Sequence, residues 1–293
     1  MPSPRKHHFV PRFLLRGFAD EKESLVVHSL DRPAQYKSSV SAVGHQNDGH
    51  TLYRRSGAPD RETLERAMAK IEGNAAGAVR LLASGEHLSN ELRSALSWFL
   101  ALQWRRSRYV LDAVAKSVDS GSLSRQEVQT SILRASLVPL FGAWELRDDL
   151  SVRPKDRWDS VQTMLQSMKW SLCRFRDDAL VLSDQTLCLY GARPGREVMY
   201  NTAWARHGIG VGLNDAARFT VALTPRLGLL LTPTGSPERL SAPTFNRTTI
   251  YNARRFVLHS PGWPHGRENL KMAFDSDMER QRMLAPVFFT NQF

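Results

Sequence analysis

Two adjacent histidines, His7 and His8, lie in a basic and aromatic segment that runs from Arg5 to Phe18. An imidazole can ligate a transition metal, act as a general acid or base near neutral pH, or hold a loop in place. Neighbouring residues of an extended segment point to opposite sides, so we expect one ring to face a site and the other to pack or brace it. The large apolar residues of the segment predict that it is packed into the protein and not frayed.

Carboxylates that border apolar segments are the acidic candidates for such a site. Glu72 and Asp184 each adjoin an apolar segment and can point inward. Glu65 lies seven residues before Glu72 and therefore on the same side of a helix, where the two are either solvated or inward-facing. His45 and His50 occur in a turn-rich loop and could add ligands, although we expect them at the surface.

Carboxylate and imidazole groups together suit a metal-assisted attack on a phosphodiester bond, in which arginines stabilise the developing negative charge. Gln103 occupies a helical position where an apolar residue is expected, and it is followed by a dense cationic turn that either binds phosphate or is solvated. A divalent metal is the candidate cofactor, with His8, Glu72 and Asp184 as candidate ligands. The catalytic candidates are His7, His8, Glu72 and Asp184, and the substrate-binding candidates are Arg12, Gln103, Arg105, Arg106 and Asn252.

The net charge of +11, with a sequence pI near 10.1, favours an anionic partner, of which nucleic acid or a nucleotide is the commonest. A second interpretation has comparable weight. The chain contains 32 Arg and 8 Lys, spread over its whole length, and a GC-rich genome produces the same preference.

The 293-residue chain has 42% hydrophobic and 24% charged residues, an ordinary globular composition. It has no apolar run of the roughly 20 residues that a membrane helix needs, and no signal-peptide pattern follows its basic N-terminus. The two cysteines, Cys173 and Cys188, lack metal-type spacing and predict no disulfide framework. We therefore expect a cytoplasmic protein without a membrane partner.

Apolar residues that recur every three or four positions predict the helices. The first begins near Asp60 and ends at Gly85, and the second runs from about Ser89 past Tyr109. Further helices are predicted at 124–137, 155–175 and 245–258, and strands at 25–30, 38–43, 180–190, 219–225 and 227–232.

The predicted fold class is α+β, with a central helical bundle and short antiparallel strands from the N-terminal and C-terminal parts. We expect a single compact domain over residues 1–293. It would be mainly helical at 60–175 and strand-rich at 178–260, with a candidate internal boundary near 147–154.

The opening His-His-Phe-Val-Pro-Arg-Phe-Leu-Leu resembles the signature of DUF4238, a family of uncharacterised bacterial and phage proteins that open with His-His-x-x-Pro-x-x-x-Leu. The later matching segments are, in order, a helix with Glu65 and Glu72, Gln-x-x-Arg at 103–106, a strand ending at Asp184, a strand pair at 223–233 and a helix with Asn252. Family members often carry Asn-Pro after the aspartate, where this chain has Gln185-Thr186. The resemblance implies no established activity, but its distribution favours a toxin or a phage-defence effector.

Charge and polar residues together favour an enzyme that hydrolyses nucleic acid or nucleotides. The alternative is a non-catalytic nucleic-acid- or protein-binding module in which His7 and His8 are structural.

Overall fold

The computed structural model of the chain describes residues 6–30, 34–118, 121–141, 160–196, 211–233 and 239–264. Contacts divide the chain into two units: unit 1 comprises Met1–Phe13 and Gly44–Ser167, and unit 2 comprises Leu14–Val43 and Met168–Phe293. Helix α1 (Arg12–Phe18) begins in unit 1 and ends in unit 2. The boundary predicted near 147–154 lies outside the described residues. Helices and short antiparallel sheets make the fold α+β, as predicted.

Unit 1 is built around one buried helix. Its described helices are α2 (Thr63–Ala83), α3 (Asn90–Arg105), α4 (Arg108–Ser117), α5 (Arg125–Phe141) and α6 (Ser160–Ser167). Helix α3 contacts α2, α5 and α6, and its Leu96, Phe99 and Leu100 are fully buried. Two short strand pairs complete the described part of the unit: β1 (Lys6–His8) with β4 (His45–Asn47), and β5 (Leu52–Tyr53) with β6 (Pro59–Asp60).

The start of α2 follows from a carboxylate two residues before its N-cap residue, Glu62. Asp60 Oδ1 accepts the backbone N–H groups of Glu62 at 3.1 Å and Thr63 at 3.0 Å, two donors that have no partner inside a helix. The buried stripe that follows includes Leu64 and Met68. This face of α2 is therefore directed inward from its first turn.

The predicted second helix is interrupted, which corrects the expectation that it continues past Tyr109. Helix α3 ends at Arg105, and α4 begins at Arg108. The Ser107 hydroxyl between them accepts the N–H of Val110 at 3.3 Å. A serine that caps a new helix turn in this way competes with continuation of the old one.

Unit 2 contains two four-stranded antiparallel sheets. One has the order β3 (Gln35–Ser39), β2 (Ser24–Ser29), β12 (Phe256–His259), β8 (Leu182–Ser183). The other has the order β7 (Lys169–Arg174), β11 (Leu227–Thr232), β10 (Ala216–Thr224), β9 (Cys188–Ala192). The predicted hairpin at 219–232 is confirmed as β10 and β11.

Two predicted helices are wrong over part of their length. The described part of the helix expected at 155–175 is helical only at Ser160–Ser167, and Lys169–Arg174 is a strand paired with β11. The helix expected at 245–258 is α7 (Ala242–Asn252), and Phe256–His259 is the buried strand β12. In both segments, pairing with a buried strand outweighs the local helical spacing. Short apolar runs fit the repeat of a helix as well as that of a strand.

Helix α7 is attached to the strands through side-chain amides. Asn246 donates to the Ala179 carbonyl at 2.7 Å and accepts the Val181 N–H at 3.0 Å. Asn252 donates to the Leu189 carbonyl and accepts its N–H, both at 3.0 Å. Each amide thus supplies the donor and acceptor that a neighbouring strand would supply.

Gly228 in β11 marks a close approach within unit 2. A Cβ atom there would lie 2.6 Å from Cε2 of Phe245 and 3.2 Å from Cδ1 of Leu180. We expect Gly228→Ala to lower the free energy of unfolding by about 1–3 kcal/mol, since a fully buried ring has to move. Urea denaturation followed by circular dichroism measures the loss.

The matched control is Gly73→Ala in α2, where a Cβ meets nothing within 4 Å. Alanine is favoured over glycine inside a helix by about 0.5–1 kcal/mol, so this variant should be at least as stable as the wild type. Equal losses in the two variants would contradict the close approach at Gly228.

Candidate functional site

The N-terminal strand separates the two adjacent histidines. In the β1–β4 pair, His7 is opposite Gln46 and His8 is opposite His45. His7 is 1% exposed, whereas His8 is half-buried and its ring meets that of His45 at a centroid distance of 5.6 Å. Of the two predicted histidines, His7 is therefore the one directed into unit 1.

The loop that follows β4 brings a second imidazole to His7. Asp48, with a positive φ of 54°, turns the chain, and its carboxylate accepts from Arg61 Nε at 2.6 Å. From α5, Gln129 donates to the carbonyl groups of Asp48 at 2.7 Å and Thr51 at 3.1 Å. These bonds fix both sides of His50, which is 3% exposed.

Three side chains meet at this point: His7, His50 and Glu65. The main-chain N–H of His50 donates to His7 Nδ1 at 2.8 Å, and His50 Nδ1 lies 2.6 Å from Glu65 Oε1. The two rings are stacked, with centroids 5.6 Å apart and an interplanar angle of 7°. One potential ligand atom from each residue lies within 4.8 Å of the other two. We call these three residues the histidine cluster.

The carboxylate of the cluster is ionised at neutral pH. Burial acts to raise the pKa of Glu65, but the hydrogen bond from His50, together with electrostatic attraction that includes the charge of Arg106, outweighs it and holds the pKa below its usual value. Glu65 can therefore accept a hydrogen bond from a protonated nitrogen, or it can ligate a cation. Its side chain is 37% exposed, so the cluster has a path to solvent.

A buried ion pair lies near the cluster, and its carboxylate is on α2, the helix that carries Glu65. Arg106, at the break between α3 and α4, places Nη2 2.6 Å from Glu72 Oε1, and its side chain is 2% exposed. Its Nη1 lies 3.7 Å from the sulfur of Met68. A guanidinium removed from water in this way needs a carboxylate partner, and Glu72 provides it.

The structure brings together three candidate site residues, His7, Glu72 and Arg106, and the carboxylate Glu65 that the sequence leaves either solvated or inward-facing. Gln103 is buried one turn before Arg106 on α3. Arg12 is exposed on α1, and Arg105 is half-buried at the end of α3.

Asp184 and Asn252 belong to unit 2, and the contacts described for them there are structural. Asp184 Oδ1 accepts the N–H groups of Arg254 at 2.8 Å and Arg255 at 3.1 Å, in the turn between α7 and β12. Burial raises the pKa of Asp184 against the opposing effect of these donors. The catalytic and substrate-binding roles of these two residues stay predictions.

The position of His50, a member of the histidine cluster, differs from the one predicted from the sequence. A surface position is expected from its turn-rich loop, but the ring is buried between β1 and α2 contacts. The available signal is the Asp48-Gly49 turn followed three residues later by the apolar Leu52, which indicates that the chain re-enters the protein at this point.

The comparison with known families covers the residues of this site. A family model described as "Protein of unknown function (DUF4238)" matches residues 6–262. The chain belongs to the DUF4238 family. The match includes all residues of the histidine cluster and confirms the predicted family. No curated protein and no solved structure matches the chain. None of the helices in the described part of this DUF4238 protein combines the length and hydropathy that a membrane span requires.

The lowered pKa of Glu65 predicts a pH-dependent contribution to stability. A carboxyl with a depressed pKa in the folded state stabilises fully above its unfolded pKa, about 4.3, and loses this effect as the pH falls through the folded value. The wild type should therefore be more stable than Glu65→Gln at pH 7, and the difference should shrink below pH 4.3. Denaturant titrations between pH 3 and pH 7 measure it. A difference independent of pH would contradict the ionised carboxylate.

The contacts of Asp184 predict different effects for two substitutions. Asp184→Ala leaves backbone N–H groups without their acceptor and should lower the free energy of unfolding by about 1–3 kcal/mol. Asp184→Asn keeps an oxygen in the same position and should cost less. If both variants lose stability equally in thermal unfolding, the capping role is wrong.

Proposed function

We propose that this DUF4238 protein is a hydrolase of phosphodiester bonds in nucleic acid or nucleotides, with its site at the histidine cluster. The observation that carries the proposal is the 2.6 Å contact between His50 Nδ1 and Glu65 Oε1, beside the buried guanidinium of Arg106. A carboxylate-bound imidazole activates water, and a guanidinium stabilises the charge that develops on a phosphoryl group.

The cluster offers two ways to activate water. Two imidazoles and one carboxylate are the ligand set of many hydrolytic zinc sites, so His7, His50 and Glu65 could hold a divalent ion that lowers the pKa of bound water. Alternatively, His50 acts as a general base oriented by Glu65, without an ion. Chelation separates these two mechanisms, since the second is independent of metal.

The charge of the chain supports an anionic substrate. The net charge is +11, and a positive field raises both the affinity and the encounter rate for polyanions. A nuclease of this kind would suit a toxin or a phage-defence effector.

One observation favours a non-catalytic alternative. His7 Nδ1 accepts a backbone N–H group, and this is a structural use of an imidazole. In that case the protein is a nucleic-acid- or protein-binding module, and its salt-sensitive binding follows the arginines and not the cluster.

The test is hydrolysis of bis(4-nitrophenyl) phosphate, single- and double-stranded DNA, and RNA by the purified protein. Each substrate is assayed with EDTA and with added Mg²⁺, Mn²⁺ or Zn²⁺. We expect His50→Ala to lower the rate by at least about 100-fold, because removal of a general base or ligand has that effect.

The matched control is His87→Ala, which removes an exposed histidine of unit 1 and should keep full activity. Circular dichroism confirms that both variants fold. Absence of hydrolysis under every condition, or equal activity of the two variants, would refute the proposed site.

A further inference from the structure

The hydrogen bonds of the histidine cluster assign its protons to individual nitrogen atoms. From them we infer that His50 Nε2 is the general base of the site, with Glu65 as its positioning carboxylate, and that His7 is a positioning residue held as a neutral imidazole. The assignment of His50 as base rests on the proposed hydrolysis. The assignment of the protons does not depend on that hydrolysis, and it can be measured without any substrate.

The proton on His50 is located by its contact with Glu65. An ionised carboxylate can only accept a hydrogen bond, so His50 Nδ1 carries the proton across the 2.6 Å contact. In the neutral ring the lone pair is then on Nε2. Among the described residues no hydrogen bond engages His50 Nε2, although the ring is 3% exposed. A nitrogen on an oriented ring that has its lone pair available is arranged as a general base.

The proton on His7 is located by a main-chain group. A backbone N–H can only donate, so His7 Nδ1 must accept at 2.8 Å from His50 N. The neutral ring of His7 therefore carries its proton on Nε2. Protonation of Nδ1 would direct two N–H groups at each other over this distance. The imidazolium form is disfavoured, and His7 is unsuited to donate a proton as a general acid.

The same bond argues against His7 as a metal ligand. A metal at Nε2 has to displace the proton that this nitrogen carries, while Nδ1 still accepts from His50. Ligating histidines instead donate through the second nitrogen, which keeps them neutral. Of the two ways to activate water, the hydrogen bonds favour the base.

The resulting step balances with water as the only co-reactant. Water transfers one proton to His50 Nε2 while its oxygen forms a bond to phosphorus. The bond between phosphorus and the leaving oxygen breaks, and the proton passes from Nε2 to that oxygen. The products are a phosphate monoester and an alcohol. Glu65 stabilises the imidazolium between the two transfers, and the charge of Arg106 faces the same carboxylate.

Nuclear magnetic resonance of protein labelled with ¹⁵N in the histidine rings reads the proton positions directly. His7→Asn and His50→Gln assign the two rings. At neutral pH we expect the signals of a proton on Nε2 of His7 and on Nδ1 of His50. Glu65→Ala should abolish the tautomer preference of His50 and leave that of His7 unchanged, because the donor to His7 is backbone.

The control for this substitution is Glu91→Ala, which changes an exposed carboxylate in the first turn of α3 and should alter neither ring. A proton on Nδ1 of His7, or on Nε2 of His50 in the neutral ring, would overturn the inference whatever the activity.

Kinetics separate a positioning role for His7 from a chemical one. The amide oxygen of His7→Asn can accept the His50 N–H much as Nδ1 does, whereas His7→Ala cannot. We expect His7→Asn to keep activity within about tenfold of the wild type, and His7→Ala to lose more. Activity should also persist in EDTA, and Glu65→Ala should lower kcat with little change in KM.

Equal inactivation by the two His7 variants, or activity that EDTA abolishes and Zn²⁺ restores, would overturn the base assignment in favour of a metal. If the ring protons are found at the expected nitrogen atoms but no substrate is hydrolysed, the proposed function is refuted and the assignment of the protons is kept. The two failures are therefore distinguishable.

Discussion

The hydrogen bond from the His50 main chain to His7 Nδ1 is the constraint on which the candidate site depends. It connects the N-terminal strand to the loop between β4 and β5, across 43 residues of sequence. The same residue then uses its ring to bind Glu65. A single loop position thus sets the geometry of two other side chains, and a displacement of this loop would separate all three.

Buried charge is the second feature of the candidate site. Arg106 is enclosed because α3 stops one residue before it and α4 starts two residues later, so the guanidinium lies between helices instead of on a helix surface. Its carboxylate partner, Glu72, and the carboxylate of the cluster, Glu65, are two turns apart on one side of α2. One helix therefore supplies both of the anions that make burial of positive charge tolerable.

The regular elements with strong local signals could be predicted from the sequence. The apolar spacing between residues 60 and 85 predicts α2, the helix predicted from about Ser89 contains α3, and the strands predicted at 219–225 and 227–232 form a hairpin. Strand β7 could not be predicted, because residues 160–175 carry a helical spacing and only the pairing with β11 selects a strand.

The candidate site was predicted in part. His7, Glu65, Glu72 and Arg106 were identified by residue type, but His50 was expected at the surface. Its burial depends on two long-range hydrogen bonds. The His50 N–H donates to His7, 43 residues earlier, and Gln129, 79 residues later, donates to the carbonyl of the neighbouring Asp48. Such long-range contacts leave no trace in the local composition of a turn-rich loop.

The donor to His7 is a peptide group, and this has a consequence for how the protein can change over time. Any residue except proline at position 50 keeps the N–H, so a substitution there can remove the chemistry without releasing the N-terminal strand. An insertion between Asp48 and His50 would do the opposite, because it moves the peptide group and preserves every side chain. In descendants of this chain, the length of that loop is expected to be inherited more strictly than the identity of the residue that carries the ring.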